Sequence, residues 1–470
     1  MPRVAYIPTA RPTFAVEVAK QRADAARALL VELGAEVVGP SGLVLTPDDV
    51  EAAAGYLDDS VDLVVNACAS FSDATPALML YAGLASPVLL WSFREPGPVG
   101  DRLWLNSLCG ANLFGHALVR AGGAARLLYG NPGELAVRDA LIRALAGHLP
   151  PAPNLPVNRR DGAGAAERAR AGAGIDSLRG RRIGVVGDPP QGFTPSEYDA
   201  RLLREQFGIE VDAIPLAEMF ERIQLVDPVD RDTERRDAAA AQPTLRDLDP
   251  RQVELHAAVT VALRGWTAER LLSAVAVRCW PEFPGELGVC PCSSLSRLAD
   301  ADTPTVCERD VYGAVTMLLL EALGSGTTYL VDTVDLDEKR NVVRVWHCGS
   351  AATKLAADPA NATQFIHCNR RIGVAGDFPL RTGQVVLSRL TENPGAGGGL
   401  RLLIAAGNSL PGPNRFQGNT ADVRLDVPAD AFVHGLVTGG FPHHTVLAWT
   451  DVRPPLRAAA ELLGIPVIEW

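Results

Sequence analysis

Residues 3–38 read RVAYIPTARPTFAVEVAKQRADAARALLVELGAEVV. Residues 3–7 are a short apolar run of the kind that forms a strand. Across 13–33, alanines and leucines recur at helical spacing between charged residues, which predicts a long amphipathic helix. Residues 35–38 predict a second strand. Strand, helix and strand in that order make a βαβ unit, whose strands lie parallel because a helix carries the chain back to the starting end. Further strands are expected at 61–66 and 88–92, which makes 1–150 an open parallel-sheet α/β domain.

Outward from this unit, residues 150–180 are rich in Pro, Ala, Gly and Arg and read as a linker. A second α/β unit is expected from 181 to 325. It has strands at 182–186 and 210–214, a helix at 196–207 and a buried helix at 309–323. The stretch 227–251 is charged and without clear periodicity. It reads as a surface excursion into a helix at 252–262, followed by another at 268–274. Beyond 325 the texture changes. Strand-like runs at 341–348, 384–390, 400–406 and 445–450 alternate with Gly and Pro clusters at 395–399 and 411–413. The fold class is therefore α/β: two open parallel-sheet domains followed by a β-barrel-containing C-terminal domain at 326–470. No internal repeat dominates the chain.

At 470 residues the chain exceeds one ordinary core, and its 47% hydrophobic and 21% charged residues are those of a globular protein. A net charge of −11 disfavours a nucleic-acid partner, whose phosphates require a basic face. The opening MPRVAYIP lacks a basic segment followed by an apolar one, and no apolar run is long enough to span a bilayer. Neither a signal peptide nor a membrane contact is expected, which implies a cytoplasmic protein. Eight cysteines are sparse. Cys68, Cys109, Cys279, Cys307, Cys348 and Cys368 sit among apolar or strand-like neighbours and read as reduced buried thiols. Cys290 and Cys292 are one residue closer than the usual zinc spacing. The segment Gly187-Asp188-Pro189-Pro190-Gln191-Gly192 follows a strand but fits neither dinucleotide nor P-loop glycine patterns, and reads as a turn.

The residues that point to chemistry come late. Glu308 lies just before the buried helix, Asp332 ends the apolar run 328–331, His347 stands in Trp346-His347-Cys348-Gly349, and His443 and His444 follow Gly439-Gly440-Phe441-Pro442. Carboxylates and imidazoles beside apolar strands are costly to bury unless paired or metal-bound. Together they form a mixed oxygen–nitrogen set suited to Mn²⁺, Fe²⁺, Co²⁺ or Zn²⁺ rather than Ca²⁺. Singly, each has a plainer explanation. Glu308 suits a helix N-terminus, Asp332 a turn, His347 a satisfied core position and His443–His444 the start of a strand.

Several separated motifs resemble the L-fucose isomerase and L-arabinose isomerase superfamily. Ala10-Arg11-Pro12-Thr13 is similar to the Arg-Pro-Thr segment after the first strand of fucose isomerases. Cys279-Trp280-Pro281-Glu282, then Cys307-Glu308-Arg309-Asp310-Val311 with Gly313-Ala314 and Thr316-Met317, resemble the fucose-isomerase core. Leu105-Asn106 with Gly110, Phe114 and Gly115, and Gly439-Gly440 with His443-His444-Thr445-Val446, resemble arabinose isomerases. The region 150–260 carries little of the likeness. The chain is much shorter than fucose isomerases and mixes features of both branches, as a divergent third branch would.

The resemblance implies a metal-dependent aldose–ketose isomerase working through a cis-enediol on a pentose, hexose or substituted sugar. Glu308 and Asp332 would be acid/base carboxylates and, with His347 and His444, ligands of Mn²⁺ or another divalent metal. Arg11, across a subunit boundary, Trp280 and His443 would contact sugar. Arg278 and Glu282 are weaker candidates that also read as a solvated ion pair. A homo-oligomer, trimer or hexamer, is implied. A metal-dependent lyase or epimerase would keep the same ligands, and a non-catalytic sugar-binding protein would have no need of the acid/base pair.

Overall fold

The computed structural model describes residues 1–157, 163–395 and 398–470. The first sheet contains β1 (Arg3–Thr9), β2 (Glu36–Val38), β3 (Leu63–Cys68), β4 (Val88–Ser92) and β5 (Ala125–Tyr129), all parallel in the order β2-β1-β3-β4-β5. The order reverses between β1 and β3. The loops leaving the carboxyl ends of those two strands therefore diverge and open a crevice, where such sheets bind ligands. The helix Val16–Glu32 covers one face through Ala19, Ala23, Ala26, Leu29 and Leu30, a stripe at helical spacing. The helix Ser107–Arg120 is buried along almost its whole length. Gly115 explains how closely it packs: a Cβ there would lie 2.3 Å from the carbonyl of Val437 on the helix Ala429–Thr438.

The second sheet is β6 (Arg182–Val186), β7 (Glu210–Ile214), β8 (Ala274–Val277) and β9 (Thr305–Cys307), parallel in the order β7-β6-β8-β9. Its reversal lies between β6 and β8. Three elements depart from the sequence expectations here. Residues 165–178 of the expected linker form a helix that buries Ala171, Ile175 and Leu178; residues 158–162, also within that stretch, lie outside the described residues. The charged stretch from 227 holds the helix Pro228–Ala241 and leads into a helix that runs from Pro250 to Arg270, with Asp227 and Asp249 accepting N-terminal amides. In place of a helix at 268–274, Leu271 in the left-handed region ends the chain's long helix and β8 begins at Ala274.

Beyond the helix Val311–Ala322, apolar on every side and buried as such helices are, the remaining strands build a barrel. They are β10 (Tyr329–Asp337), β11 (Val342–His347), the two-residue β12 (Gln364–Phe365), β13 (Ala375–Gly376) and β14 (Phe378–Pro379), then β15 (Gly383–Glu392), β16 (Leu400–Leu410), β17 (Asn419–Leu425), β18 (His444–Ala448) and β19 (Val467–Glu469). Antiparallel pairing runs β17-β11-β10-β18-β15-β16 and returns to β17, which closes six strands into a ring. In this register Asp332 lies directly opposite His444 on one side and Trp346 on the other. Among the described residues no helix is long and apolar enough to cross a membrane.

Candidate active site

The crevices of both parallel sheets and one rim of the barrel face a common cleft. From the β1/β3 crevice come Arg11, Phe14 and Phe71, from the second sheet Trp280 and Glu308, and from the barrel Asp332, His347 and His443. One chain thus brings Arg11 to the cleft, where the resemblance implied a subunit boundary. Its guanidinium lies 4.5 Å from the centre of the Trp280 ring.

Glu308 follows β9 with φ +60°, and Arg309 follows with φ +61°. Two consecutive side-chain-bearing residues in the left-handed region are strained, by about 1–2 kcal/mol each. The surroundings hold them there. The Arg309 amide donates to Val277 O (3.0 Å), and its guanidinium donates to Gly187 O (2.6 Å) and Ser196 O (2.8 Å). Gly187–Gly192 is therefore a turn, as expected, clamped from below by Arg309. It delivers Phe193 against Trp280, His443 and His444, with ring centres 5.5, 5.4 and 5.9 Å apart. The bend turns Glu308 into the cleft, where Trp280 Nε1 donates to Oε1 at 2.9 Å.

Asp332 and His444 meet Glu308 because facing residues of adjacent antiparallel strands share a face. His444 Nε2 lies 3.0 Å from Glu308 Oε2 and 3.3 Å from Asp332 Oδ1. Its other nitrogen, Nδ1, is 2.8 Å from Asp310 Oδ2. Asp310 is wholly buried, forms a two-oxygen ion pair with the equally buried Arg389 and accepts the Gly313 amide at 2.9 Å. A carboxylate only accepts, so it fixes the His444 proton on Nδ1 and leaves Nε2 aimed at the two acids. Phe71 and Trp346 line the cleft beside this histidine–acid cluster, and Phe193 packs on its two histidines.

Charge in this cluster is strongly skewed. Burial lifts Asp332 to about 8, and the charge of Glu308 adds to the effect. Burial opposes a charge on His444, but the hydrogen bond to Asp310 and the adjacent Glu308 carboxylate outweigh it and lift the pKa to about 10. Burial also opposes ionisation of Glu308, yet His443 and His444 hold its pKa well below the usual carboxylate range. Of the three acids, Asp310 is paired with Arg389, and the cluster attracts a further positive charge, whether a proton on His444 or a metal ion.

No protein-family model matches the sequence. A sulfoquinovose isomerase of Alkalicoccus urumqiensis is 34% identical over 467 residues, 99% of each chain. Those of Priestia aryabhattai and a Clostridium species are each 30% identical over 98% of both chains. The chain belongs to the sulfoquinovose isomerase family. It is an isomerase, of the aldose–ketose kind.

Within this sulfoquinovose isomerase fold, the residues fit a divalent metal. His444 Nε2 and Asp332 Oδ1 are buried and make no hydrogen bond, and they lie beside Glu308 Oε2 in one small space. One carboxylate oxygen and one ring nitrogen without a hydrogen bond, beside a second carboxylate oxygen, make the donor set of an open catalytic site. His347 also borders this space, but its Nδ1 accepts the Cys348 amide at 2.8 Å. A backbone amide only donates, so the neutral His347 ring carries its proton on Nε2, which lies 3.4 Å from Cys307 Sγ. His443 lies 3.9 Å from Glu308 and 4.0 Å from Asp332, outside hydrogen-bonding reach. Arg278 and Glu282 form the half-buried ion pair that was their plainer reading, with Arg278 also bonded to Asp188 O at 3.0 Å.

Sequence reasoning missed Asp310, Phe193 and the loop carrying His367, Asn369 and Arg370, all of which line or support the cleft. All eight cysteines are buried and free, and Cys292 and Cys348 place their sulfurs 3.6 Å apart at the cleft's edge.

Proposed function

We propose that this chain interconverts sulfoquinovose, the sulfonated sugar in its relatives' name, with the corresponding ketose, using a divalent metal held by Glu308, Asp332 and His444. One observation carries the reading: the buried His444 Nε2 and Asp332 Oδ1, neither with a hydrogen bond, converge on Glu308 beside the cleft. The metal, when bound, supplies a Lewis acid that polarises the carbonyl beside the hydrogen to be moved. Mn²⁺ suits the donor set, as do other first-row divalent ions.

The chain's own groups do the rest. Of Glu308 and Asp332, one removes the proton from the carbon beside the carbonyl to give a cis-enediol, and the other passes protons between the oxygens. Trp280 Nε1 fixes Glu308 by its Oε1 and leaves Oε2 facing the reacting atoms. Asp310 orients His444, and His347, with its proton on Nε2, borders the site as a donor rather than a ligand. Arg11, Trp280 and His443 line the path by which the sugar enters. Phe71, Phe193 and Trp346 exclude water from the enediol. The kinship with fucose and arabinose isomerases, a homo-oligomeric assembly and a cytoplasmic location belong to the same proposal.

The test is proton exchange followed by NMR in D₂O with sulfoquinovose and Mn²⁺, before and after chelation. Deuterium entering at the carbon beside the carbonyl, with ketose appearing and both lost on chelation, supports the proposal. Ketose formation that survives thorough chelation rules out the metal, and three-carbon fragments would identify a lyase instead.

A further inference from the structure

The cleft is lined by two chemically opposite sets of side chains. Its acids are Glu308 and Asp332, both in the proposed metal cluster. The remaining polar wall carries Arg11, His367, Asn369 and Arg370. Trp280 stands between them, holding Glu308 with its Nε1 and carrying the Arg11 guanidinium on its face.

That wall is composed of donors. Among the described residues neither Arg11 nor Arg370 is in an ion pair, and the Arg370 guanidinium has no hydrogen-bond partner. Arg278, near Trp280 in sequence, is by contrast paired with Glu282. Two guanidiniums facing one crevice repel each other unless an anion comes between them. Burial lowers the Arg11 pKa, Asp73 partly offsets that, and the charge of Arg370 lowers it further, so the two charges sense each other. His367 adds a third donor. Its Nδ1 accepts the amides of Asn369 and Arg370, both at 3.2 Å. The same reasoning as for His347 places its proton on Nε2, and burial holds the ring neutral by lowering its pKa to about 4. The turn at 367–370 thus uses its backbone to set one imidazole as a donor while its next side chains, an amide and a guanidinium, border the same cleft.

Such a wall suits a tetrahedral oxyanion with several acceptor oxygens and no proton to give. We infer that Arg11 and Arg370, with the Nε2–H of His367 and the amide of Asn369, form the subsite that receives the sulfonate of the sugar, while its carbonyl end lies at Glu308, Asp332 and His444. This rests on the substrate reading above and deepens it: the subsite, rather than the metal cluster, would select a sulfonated sugar.

The experiment compares the metal-loaded protein with its Arg370→Ala and Arg370→Lys variants. Kinetics are measured on sulfoquinovose and on glucose 6-phosphate, with methanesulfonate as inhibitor and metal content determined for each protein. Charge-assisted hydrogen bonds to a buried oxyanion predict a KM for sulfoquinovose about 10- to 100-fold higher in Arg370→Ala. The change in kcat should be much smaller, with metal content equal to wild type. Methanesulfonate should compete with the sugar in the wild-type protein and weaken by a similar factor in the variant, and lysine should recover part of both. Equal methanesulfonate inhibition in wild type and Arg370→Ala, or a fall in kcat at constant KM, would overturn the subsite. Wild-type turnover of the phosphorylated sugar in preference to sulfoquinovose would instead overturn the substrate reading. Sensitivity of that turnover to Arg370→Ala would then keep the oxyanion site and change its occupant.

Discussion

Replacing Asp310 by Asn separates what this buried carboxylate does for stability from what it does for the metal. Asp310 has two oxygens and four donors to satisfy: Oδ1 takes the Gly313 amide and one nitrogen of Arg389, and Oδ2 takes His444 Nδ1 and the other. Asn has one acceptor oxygen and presents an NH₂ to the remaining donors. Its capping of the helix Val311–Ala322 is as good as that of Asp, so the loss falls on Arg389 and His444. Arg389 is 1% exposed, and stripping a buried charge of its partner costs about 3–5 kcal/mol. His444 loses the fixed Nδ1–H that presents Nε2, and such outer partners are worth about 10–100-fold in metal affinity or activity. The double variant Asp310→Asn with Arg389→Met removes the stranded charge. It should regain most of the stability, since a buried ion pair replaced by apolar volume is often neutral, but none of the metal affinity. Urea unfolding of metal-free protein and competition against a chromophoric chelator give the two numbers. An Asp310→Asn protein with wild-type metal affinity would refute the orientation of His444 by Asp310. A double variant no more stable than the single one would refute the stranded-charge argument.

Three other outcomes follow from the same geometry. Glu308→Gln keeps the acceptor for Trp280 Nε1 but removes the acid/base oxygen, and deuterium exchange should fall about 10²–10⁴-fold; undiminished exchange would remove Glu308 from the reaction. His347→Ala should retain metal, measured as bound Mn²⁺ per chain, while kcat falls, because the ring is set as a donor; loss of the metal with the side chain would make it a ligand after all. His256 is buried between helices, bonded to Ser294 Oγ at 3.0 Å, and burial lowers its pKa to about 4 from 6.5. The unfolded chain therefore takes up a proton below pH 6.5 that the folded protein refuses until about pH 4. Stability should fall across that window as pH drops, with up to about 3 kcal/mol from this residue. His256→Gln should flatten the slope of unfolding free energy against pH by close to one proton, and an unchanged slope would show that His256 titrates normally.

How much of this was legible in the sequence depends on what holds each element. β4 and β6 are apolar runs in parallel sheets, and burial on both faces writes itself into sequence. The helix Pro228–Ala241 is different. Its inward anchor is Glu234, 3% exposed and held at 2.7 Å by both Arg264 and Arg297. A carboxylate that is buried because two distant arginines meet it looks, in sequence, like any exposed charge, so the helix read as a surface excursion. The helix at 165–178 was hidden by its own closeness: a Cβ at Gly174 would lie 2.9 Å from Leu323 Cδ2, and the small residues that allow that approach imitate a linker. The site shows the same division. Glu308, Asp332 and His444 were readable by residue type beside apolar strands, while the turn at 367–370 has no period to read. Asp310 did leave a signal, an acid opening a wholly apolar helix. Its partner Arg389 left a second, a lone arginine inside the apolar run of β15. A charge inside each of two segments that must both be buried is a pair waiting to be matched, because neither can be buried alone. Matching them joins β15 to the start of the 311–322 helix and, through Asp310, specifies which nitrogen of His444 faces the acids. The geometry of the proposed ligands is thus written partly in residues outside the set, and two buried charges of opposite sign mark it in the sequence as plainly as the ligand types do.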